Sequence, residues 1–228
     1  MTFRLLLVAT LALGLTACAD DAAPASESAD VSVAGSFENA PDVPAGEYTF
    51  DVAHSRAEFR IKHLGISTVT GRFDGMNGTL TITDGIESLQ ATATIDASTI
   101  STGNDDRDNH LKSPDFFDVA TYPEITFTST EVRPGEGNAF TLVGDLTMHG
   151  VTRPVELTGE YVGASAMQGT PKVGFTASGE ITRQDWGLTW EMNNELGEAV
   201  VGDTVTLVLE VEADGVAPDA PADAEPEA

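Results

Sequence analysis

Residues 51–65 read DVAHSRAEFRIKHLG, and this stretch decides the class of fold. From residue 56 to residue 62 every second side chain is charged, and the side chains between them are apolar until His63 is reached. Successive side chains of a β-strand point to opposite faces, so strict alternation indicates a strand with one buried face and one wet face. Such a strand is typical of antiparallel sheets, because the strands of parallel sheets are usually covered on both faces.

The same alternation recurs between residues 46 and 212, in segments that turn residues separate, and it predicts about eight or nine strands. The first inward row is predicted to hold Tyr48, Phe50 and Val52. Turns such as Asp84-Gly85, Pro134-Gly135 and His149-Gly150 predict hairpins between consecutive strands. A sheet of this length hides one apolar face by closing into a barrel or by folding into a sandwich. We favour an all-β antiparallel barrel.

Two intervals break the strand pattern. Residues 101–119 predict a short helix around residues 105–111, which Pro114 stops because proline lacks the backbone N–H that a helix interior needs. Residues 183–200 contain two tryptophans and predict a long loop or a short helix. Loops of this length inside a compact domain are usually functional or act as lids.

The first residues of the chain have the pattern of an export signal. The run MTFRLLLVATLALGLTAC has a basic start at Arg4, an apolar stretch over residues 5–15 and small residues before Cys18, the only cysteine. The apolar stretch is shorter than the roughly 20 residues of a membrane-spanning helix. Leu-Thr-Ala-Cys resembles the lipobox of bacterial lipoproteins, which implies a signal peptide at 1–17 and lipidation of Cys18. The protein is then expected in the cell envelope, at the periplasmic face or the outer membrane. The alternative is a free thiol behind a simple secretory signal.

The regions on either side of the strands are rich in Ala, Ser, Pro and acid. Residues 18–45 are predicted to be a lipidated cysteine and a disordered tether, and residues 213–228 a disordered tail. The chain has 11 Lys and Arg against 37 Asp and Glu, a net charge of -26. So acidic a chain argues against nucleic acid as a partner and against adsorption onto anionic head groups, and solubility is the simpler explanation.

Small side chains occupy part of the inward phase, next to large apolar neighbours. They are Ala91, Ala93, Ala97, Gly144, Gly159, Ala177 and Gly179. In a barrel of eight strands, full-sized side chains just fill the interior, whereas small ones leave room for a ligand. The alternative is that these residues face large partners across the core, or mark bends and bulges.

The region 46–212 resembles the YceI-like family through seven motifs in the same order. They are Tyr48-x-x-Asp51-x-x-His54-Ser55, Phe59-x-x-Lys62-His63-Leu64-Gly65, Gly71-x-Phe73, His110-Leu111-x-Ser113-x-Asp115-Phe116-Phe117-Asp118, Tyr122-Pro123-x-Ile125-x-Phe127, Leu146-Thr147-x-His149-Gly150-Val151-Thr152 and Arg183-x-Asp185-Trp186-Gly187. The resemblance implies an extended, lipocalin-like barrel in an exported bacterial protein, holding a polyisoprenoid or another long-chain amphiphile. The predicted function is lipid storage, transport or presentation, with no catalysis and no other cofactor.

The predicted ligand site is the interior of the barrel. Its apolar wall is expected to hold Phe59, Ile61, Phe73, Phe127, Leu142 and Phe175. A lipid head group also needs fixed polar partners near the mouth, since an unpaired buried head group costs several kcal/mol. His63 is one candidate, although it could equally be a core histidine bonded within the protein. His110 and Trp186 complete the predicted ligand-binding set, and Arg183 with Asp185 either helps to close one end or forms a structural ion pair.

His54 and His149 are expected to tie turns, and no metal site is predicted, because the histidines show no short ligand spacing. One rival is a structural envelope lipoprotein with a solid core. The other is an enzyme, but Asp51, His54 and Ser55 lack a nucleophile elbow, and neighbours on a strand point to opposite faces. A homodimer is a possible assembly, and no other protein partner is predicted.

Overall fold

The structure is a computed structural model that describes residues 43–216. The predicted signal peptide, the lipidation site Cys18, nearly all of the predicted tether and most of the predicted tail lie outside the described residues. Within residues 43–216, no helix has both the length and the apolar character needed to cross a membrane.

The described residues form eleven strand segments, one α-helix and three short 3₁₀ turns. The strands are β1 Gly46–Phe50, β2 Arg56–His63, β3 Ser67–Phe73, β4 Met76–Ile82, β5 Gln90–Asp96, β6 Ile100–Ser101, β7 Glu124–Pro134, β8 Ala139–Met148, β9 Val151–Met167, β10 Thr170–Thr182 and β11 Val201–Gly215. The helix α1 spans Asp105–Lys112, and the 3₁₀ turns span Ile86–Ser88, Ala97–Thr99 and Arg183–Trp186. Every strand pairing is antiparallel, as the alternation predicted.

The eleven segments make up eight barrel strands, because three of these strands are interrupted and each consists of two segments. β1 and β2 follow one another along the same partner, β11, with β1 beside residues 213–215 and β2 beside residues 201–210. β4 and β3 continue one another beside β1 and β2, and β5 and β6 continue one another beside β4 and β3. The order β5-β7-β8-β9-β10-β11 completes the ring. The predicted all-β barrel of about eight strands with a short helical insertion is confirmed.

A turn built around Asp51 separates β1 from β2. The carbonyl of Asp51 accepts the backbone N–H groups of His54 and Ser55, at 3.1 and 2.8 Å, and its carboxylate accepts the N–H of Ala53 at 2.9 Å. These bonds turn the chain directly after Phe50. Val52 therefore lies in the turn, 56% exposed, and the prediction that it belongs to the inward row is wrong.

The helix α1 confirms the predicted helical insertion and lies over a gap in the sheet. The Asn104 side chain caps it by accepting the N–H of Arg107 at 2.9 Å. The chain leaves the helix at Ser113, directly before Pro114. The carboxylate of Asp108 accepts both the backbone N–H and the hydroxyl of Thr102, which ties the helix to the end of β6.

The two ends of the barrel are packed differently. What we call the closed end holds the start of β1, the end of β11 and the β9–β10 hairpin, and its inward side chains are almost fully buried: Ile82, Ile86 and Val173 are each 1% exposed and Ala213 is 0% exposed. What we call the open end holds the β2–β3 turn, α1 and the loop at 187–200. There the inward residues nearest the opening, Ile61, His63 and Val69, are only half-buried.

Candidate functional site

An apolar cavity of about 370 Å³ lies inside the barrel. Its wall is formed by inward side chains of the sheet and, toward the open end, by α1 and residues 188–201. The volume is roughly two and a half times that of a 150 Å³ apolar cavity known to bind benzene, and it falls within the range of about 300–1,000 Å³ typical of small-molecule sites. The interior of this barrel is therefore hollow.

Eight of the nine residues predicted to bind ligand line this cavity. They are Phe59, Ile61, His63, Phe73, His110, Phe127, Leu142 and Phe175. The exception is Trp186, which is 3% exposed, donates its indole N–H to the carbonyl of Leu146 at 3.1 Å and packs outside the cavity wall. Trp190, the other tryptophan of the same loop, lines the cavity instead. The sequence indicated the loop but not which tryptophan faces inward.

The small inward residues divide into two groups. Each glycine lies beneath a large side chain of a neighbouring strand, and a β-carbon there would come within 3 Å of it: Phe127 over Gly144, Phe140 over Gly159 and Leu157 over Gly179. In contrast, Ala91, Ala93 and Ala177 line the cavity, and Ala97 is packed in the core at 1% exposure. The alanines at 91, 93 and 177 therefore leave the space, whereas the glycines serve close packing.

His63 differs from the other three histidines in having no hydrogen-bond partner for its imidazole among the described residues. His54 pairs with Asp51 at 2.8 Å, His110 pairs with Asp115 at 2.8 Å, and the Nδ1 atom of His149 lies 3.2 Å from the carbonyl oxygen of Trp186. His63 is half-buried and lines the cavity where β2 ends. Within residues 43–216 it is therefore not a core histidine with a bonded ring.

Arg107 is a residue of the open end that the sequence analysis missed. It lines the cavity, and its guanidinium donates from Nε to Thr102 Oγ1 at 2.7 Å and from Nη2 to the Thr102 carbonyl at 3.0 Å. In the described part of the chain, no carboxylate oxygen lies within 4.0 Å of it. Its spacing from His110 and Leu111, three and four residues later, could have revealed it, because such residues share one face of a helix.

His110 is held in a fixed orientation at the rim of the cavity. Its Nε2 atom lies 2.8 Å from the Asp115 carboxylate, and its ring packs edge-on against Phe116 and Trp190, with centroid separations of 5.0 and 5.3 Å. Phe116 and Trp190 also contact each other at 5.2 Å. The aromatic cluster thus connects the segment after α1 to the loop at 187–200.

Arg183 forms a structural ion pair, but with a different aspartate from the one predicted. Its side chain is buried and donates to the carbonyl of Gly202 at 3.0 Å, to the carbonyl of Leu188, and to Asp203 Oδ1 at 3.0 Å. Asp185 contributes only its backbone carbonyl, which accepts from Arg153 at 3.4 Å. The pairing of Arg183 with Asp185 is therefore wrong, because the 3₁₀ turn at 183–186 directs the guanidinium toward β11.

An ion-pair cluster lies on the β1–β2 turn at the other side of the barrel. Lys172 Nζ contacts Glu212 at 2.8 Å, Asp51 at 3.4 Å and Asp214, and His54 contacts Asp51. The hydrogen bond from His54, with those from Ala53 and Lys172, lowers the pKa of Asp51 to about 2. Asp51 in turn raises the pKa of His54, and the carboxylates of Asp214 and Glu212 raise the pKa of Lys172.

The same turn holds the three side chains that the enzyme alternative considered. Asp51 and His54 do pair, because they lie in a turn rather than on a strand, so the geometric reason given against a relay was wrong. Ser55 does not join them, since its hydroxyl donates to the carbonyl of Glu212 at 2.9 Å. Asp51, His54 and Glu212 offer atoms within 4.8 Å of one another, but Lys172 already contacts both carboxylates. The arrangement ties the turn to β10 and β11.

The sequence profile of the YceI-like domain matches residues 48–213. The chain belongs to the YceI-like family. A UPF0312 protein of Pectobacterium atrosepticum is 37% identical over 172 residues, which are 74% of this chain and 86% of that relative. The YceI protein of Campylobacter jejuni, known as a crystal structure, is 32% identical with a TM-score of 0.58, over 67% of this chain and 88% of that one.

The barrel also resembles more distant solved structures. A polyisoprenoid-binding domain from Saccharophagus degradans has a TM-score of 0.55 at 19% identity, over 75% of this YceI-like chain and 99% of that domain. At this level of identity the similarity establishes a shared fold.

Proposed function

We propose that the protein binds one long-chain lipid, a polyisoprenoid or a similar amphiphile, inside the barrel. The observation that carries the proposal is the apolar cavity of about 370 Å³, which is sealed at the closed end and bordered by polar side chains at the open end. An amphiphile matches this arrangement, with its chain inside and its head group at the rim. The polyisoprenoid-binding domain of Saccharophagus degradans, which shares the fold, supports the same class of ligand.

The volume of the cavity limits the length of the hydrocarbon chain that it can hold. If six carbons of benzene occupy a cavity of about 150 Å³, a cavity of this size holds roughly 15 carbons. Burying each CH₂ group contributes about 0.8 kcal/mol, so a chain of this length supplies most of the binding free energy. A polyisoprenoid longer than about 15 carbons would extend beyond the open end. Binding rather than catalysis is the proposed activity.

The proposal includes a place in the cell envelope, which the N-terminal sequence supports. Lipidation of Cys18 would hold the protein at a membrane, and residues 19–45 would link the anchor to the barrel. Such an arrangement suits a protein that stores lipid close to a bilayer, carries it or presents it to an acceptor. The acidic composition, with a net charge of -26, keeps the domain soluble while it is anchored.

Native mass spectrometry of the gently purified protein tests the lipid proposal, with tryptophan substitutions to fill the cavity. Ala93→Trp and Ala177→Trp place a large ring in the cavity, so the bound lipid mass should disappear while the circular dichroism of the sheet is unchanged. Thr158→Trp is the matched control, since Thr158 is exposed on the outer face of β9 and pairs with Ser178, the neighbour of Ala177. The control should retain the lipid.

A solid core would give a different result. Overpacking would then destabilise Ala93→Trp and Ala177→Trp by about 1–3 kcal/mol or more. If both variants unfolded and the wild type never yielded a lipid, the protein would be a structural envelope component. Conversion of the bound lipid to a new mass by the purified protein would instead support the enzyme alternative.

Cell fractionation tests the anchor separately. Cys18→Ser removes the thiol that would be acylated, so the variant should leave the membrane fraction and accumulate in the soluble envelope fraction. Its thermal unfolding should not change, because Cys18 lies outside the barrel sequence. If Cys18→Ser stayed with the membranes as the wild type does, the lipoprotein part of the proposal would have to be abandoned, without consequence for lipid binding.

A further inference from the structure

The basic side chains that border the cavity are not equally available to a ligand. Five of them line it: Lys62, His63, Arg107, His110 and Arg183. Lys62 donates to Thr68 Oγ1, its partner across the β2–β3 pair, on the outer face of the sheet. Arg183 is bonded to two carbonyls and to Asp203, and His110 is paired with Asp115. These three therefore have their charge or their donors engaged elsewhere.

His63 and Arg107 retain unused hydrogen-bonding capacity. The imidazole of His63 has no partner among residues 43–216, as described above. A guanidinium carries five N–H donors, and Arg107 uses one from Nε and one from Nη2, both on Thr102. The remaining donors belong to a charged group that borders the cavity and has no carboxylate within 4.0 Å in the described structure.

The carboxylates near the opening do not offset this excess of donors. Among the described residues, Glu58 is the only acidic one that lines the cavity. It pairs with Arg72 of β3 and Val208 of β11, between the inward positions 57 and 59. Its side chain therefore lies on the outer face. Asp108, next to Arg107, is buried and accepts two hydrogen bonds from Thr102. Asp115, the carboxylate at the rim, is paired with His110. Among the described residues that line the cavity, the open end thus offers unused donors and no inward-facing carboxylate to match a cationic head group.

We propose that the head group of the ligand is an anion, a carboxylate or a phosphate, and that Arg107 and His63 bind it at the open end. This inference rests on the proposed function, since it names the chemistry of the lipid that the cavity holds. Hydrogen bonds between an ionised donor and an ionised acceptor are roughly twice as strong as neutral ones. The net charge of -26 repels anions at long range, so the preference arises from the local donors.

The test compares four probes that share a sixteen-carbon chain and differ only in the head group. They are hexadecanoate, hexadecyl phosphate, hexadecan-1-ol and hexadecyltrimethylammonium, titrated below their micelle concentrations into the mature protein after its bound lipid has been removed. At least one of the two anions should bind about tenfold or more tightly than the alcohol, and the cation should bind most weakly. The anion that binds better identifies the source of the charge, a carboxylate or a phosphate.

Variants then assign the preference to residues. Arg107→Gln should reduce the preference for the anion to less than about threefold without changing the affinity for hexadecan-1-ol, because only the head-group contact is lost. His63→Gln should reduce it by a smaller factor. Lys112→Gln is the matched control, since it removes one positive charge from the same helix at a position that does not border the cavity. It should leave the preference as in the wild type.

The outcomes separate this inference from the proposed function. If hexadecan-1-ol binds as tightly as both anions, the anionic head group is refuted while lipid binding stands. If none of the four probes binds, lipid binding itself fails. If Arg107→Gln does not fold, Arg107→Met replaces it, since methionine keeps the unbranched apolar stem but removes the charge and the donors. An unchanged preference in a folded Arg107 variant would also refute the assignment.

Discussion

The closed end and the open end of the barrel belong to one sheet but are packed differently. At the closed end, Tyr48, Ile82, Val173 and Ala213 are no more than 3% exposed, and the ionic groups on the adjoining turn are all paired. At the open end, Ile61 and Val69 are half-buried, and the imidazole of His63 has no hydrogen-bond partner in the described part of the chain. The closed end therefore has the more tightly packed core, and the open end leaves room for a ligand.

The difference follows from the continuity of the sheet. Around the closed half, β5 pairs with β7, so the ring of hydrogen-bonded strands is complete. Toward the open end, the short β6 pairs with β3 alone, and α1 with residues 113–123 takes the place of a continuous wall. A hydrogen-bonded sheet seals its interior, whereas a helix packed over a gap leaves room around its side chains.

The largest effect on stability should come from replacing an isoleucine with alanine at each of the two ends. Ile82→Ala removes a side chain that is 1% exposed at the closed end, and we expect it to lower the free energy of unfolding by about 2–5 kcal/mol. Ile61→Ala removes a half-buried side chain that lines the cavity, so the loss should be only about 1 kcal/mol. Urea unfolding of the lipid-free proteins measures both. Equal losses would show that the open end is as much a structural core as the closed end.

An intermediate effect should come from two glycines that lie beneath aromatic rings. A β-carbon at Gly159 would meet the ring of Phe140 at 2.4 Å, and one at Gly71 would meet the ring of Phe59 at 2.3 Å. Phe140 is 3% exposed and has little room to move, so Gly159→Ala should cost about 1–3 kcal/mol. The β-carbon at Gly71 would also lie 2.9 Å from the methyl group of Thr102. Phe59 is half-buried and can move into the cavity, so Gly71→Ala should cost less than Gly159→Ala but weaken lipid binding.

Thermal unfolding and lipid titration together check the glycine pair. Gly174→Ala is the control, since a β-carbon there has no neighbour closer than 3.5 Å. It should change neither the unfolding temperature nor the affinity for lipid. A greater destabilisation by Gly71→Ala than by Gly159→Ala would contradict the view that the open end has room for a displaced ring.

The smallest effect should be a pH dependence of stability that arises in the turn at Asp51. Asp51 raises the pKa of His54, so this pair stabilises the folded state fully below the ordinary pKa of histidine, and the contribution is lost as the pH rises through the raised pKa. The pKa of Asp51 is lowered to about 2, so its contribution is present above its ordinary value and is lost as the pH falls toward 2. Both changes should be small, because the His54 side chain is 63% exposed.

The unfolding temperature of His54→Gln, compared with that of the wild type, measures the histidine part of this dependence. The difference in unfolding temperature between the two proteins should be greater at pH 6 than at pH 9, where the wild-type imidazole of His54 has lost its proton. A difference that stays constant over this range would show that the charge of His54 does not contribute to stability.

The sequence predicted the fold well because the evidence for it is local. Alternation around Phe59 and Ile61 indicated a one-faced strand, and the turn residues indicated how such strands follow one another. The helix at α1 was predicted for a similar reason, since the break in the strand pattern over residues 101–119 and the stop at Pro114 are both local signals in the chain. Eight of the nine predicted ligand residues line the cavity, because alternation determines which face a strand residue occupies.

By itself, therefore, the sequence determined the antiparallel strands, their inward faces and the family. Only the tertiary structure decided that Arg183 pairs with Asp203, that Trp190 rather than Trp186 borders the cavity, and that Arg107 reaches the same opening as His63. The physical reason is that these relationships join segments far apart in the chain, or depend on how a loop without periodicity packs. Alternation specifies a face, but the space left between faces depends on how the closed sheet brings all its side chains together.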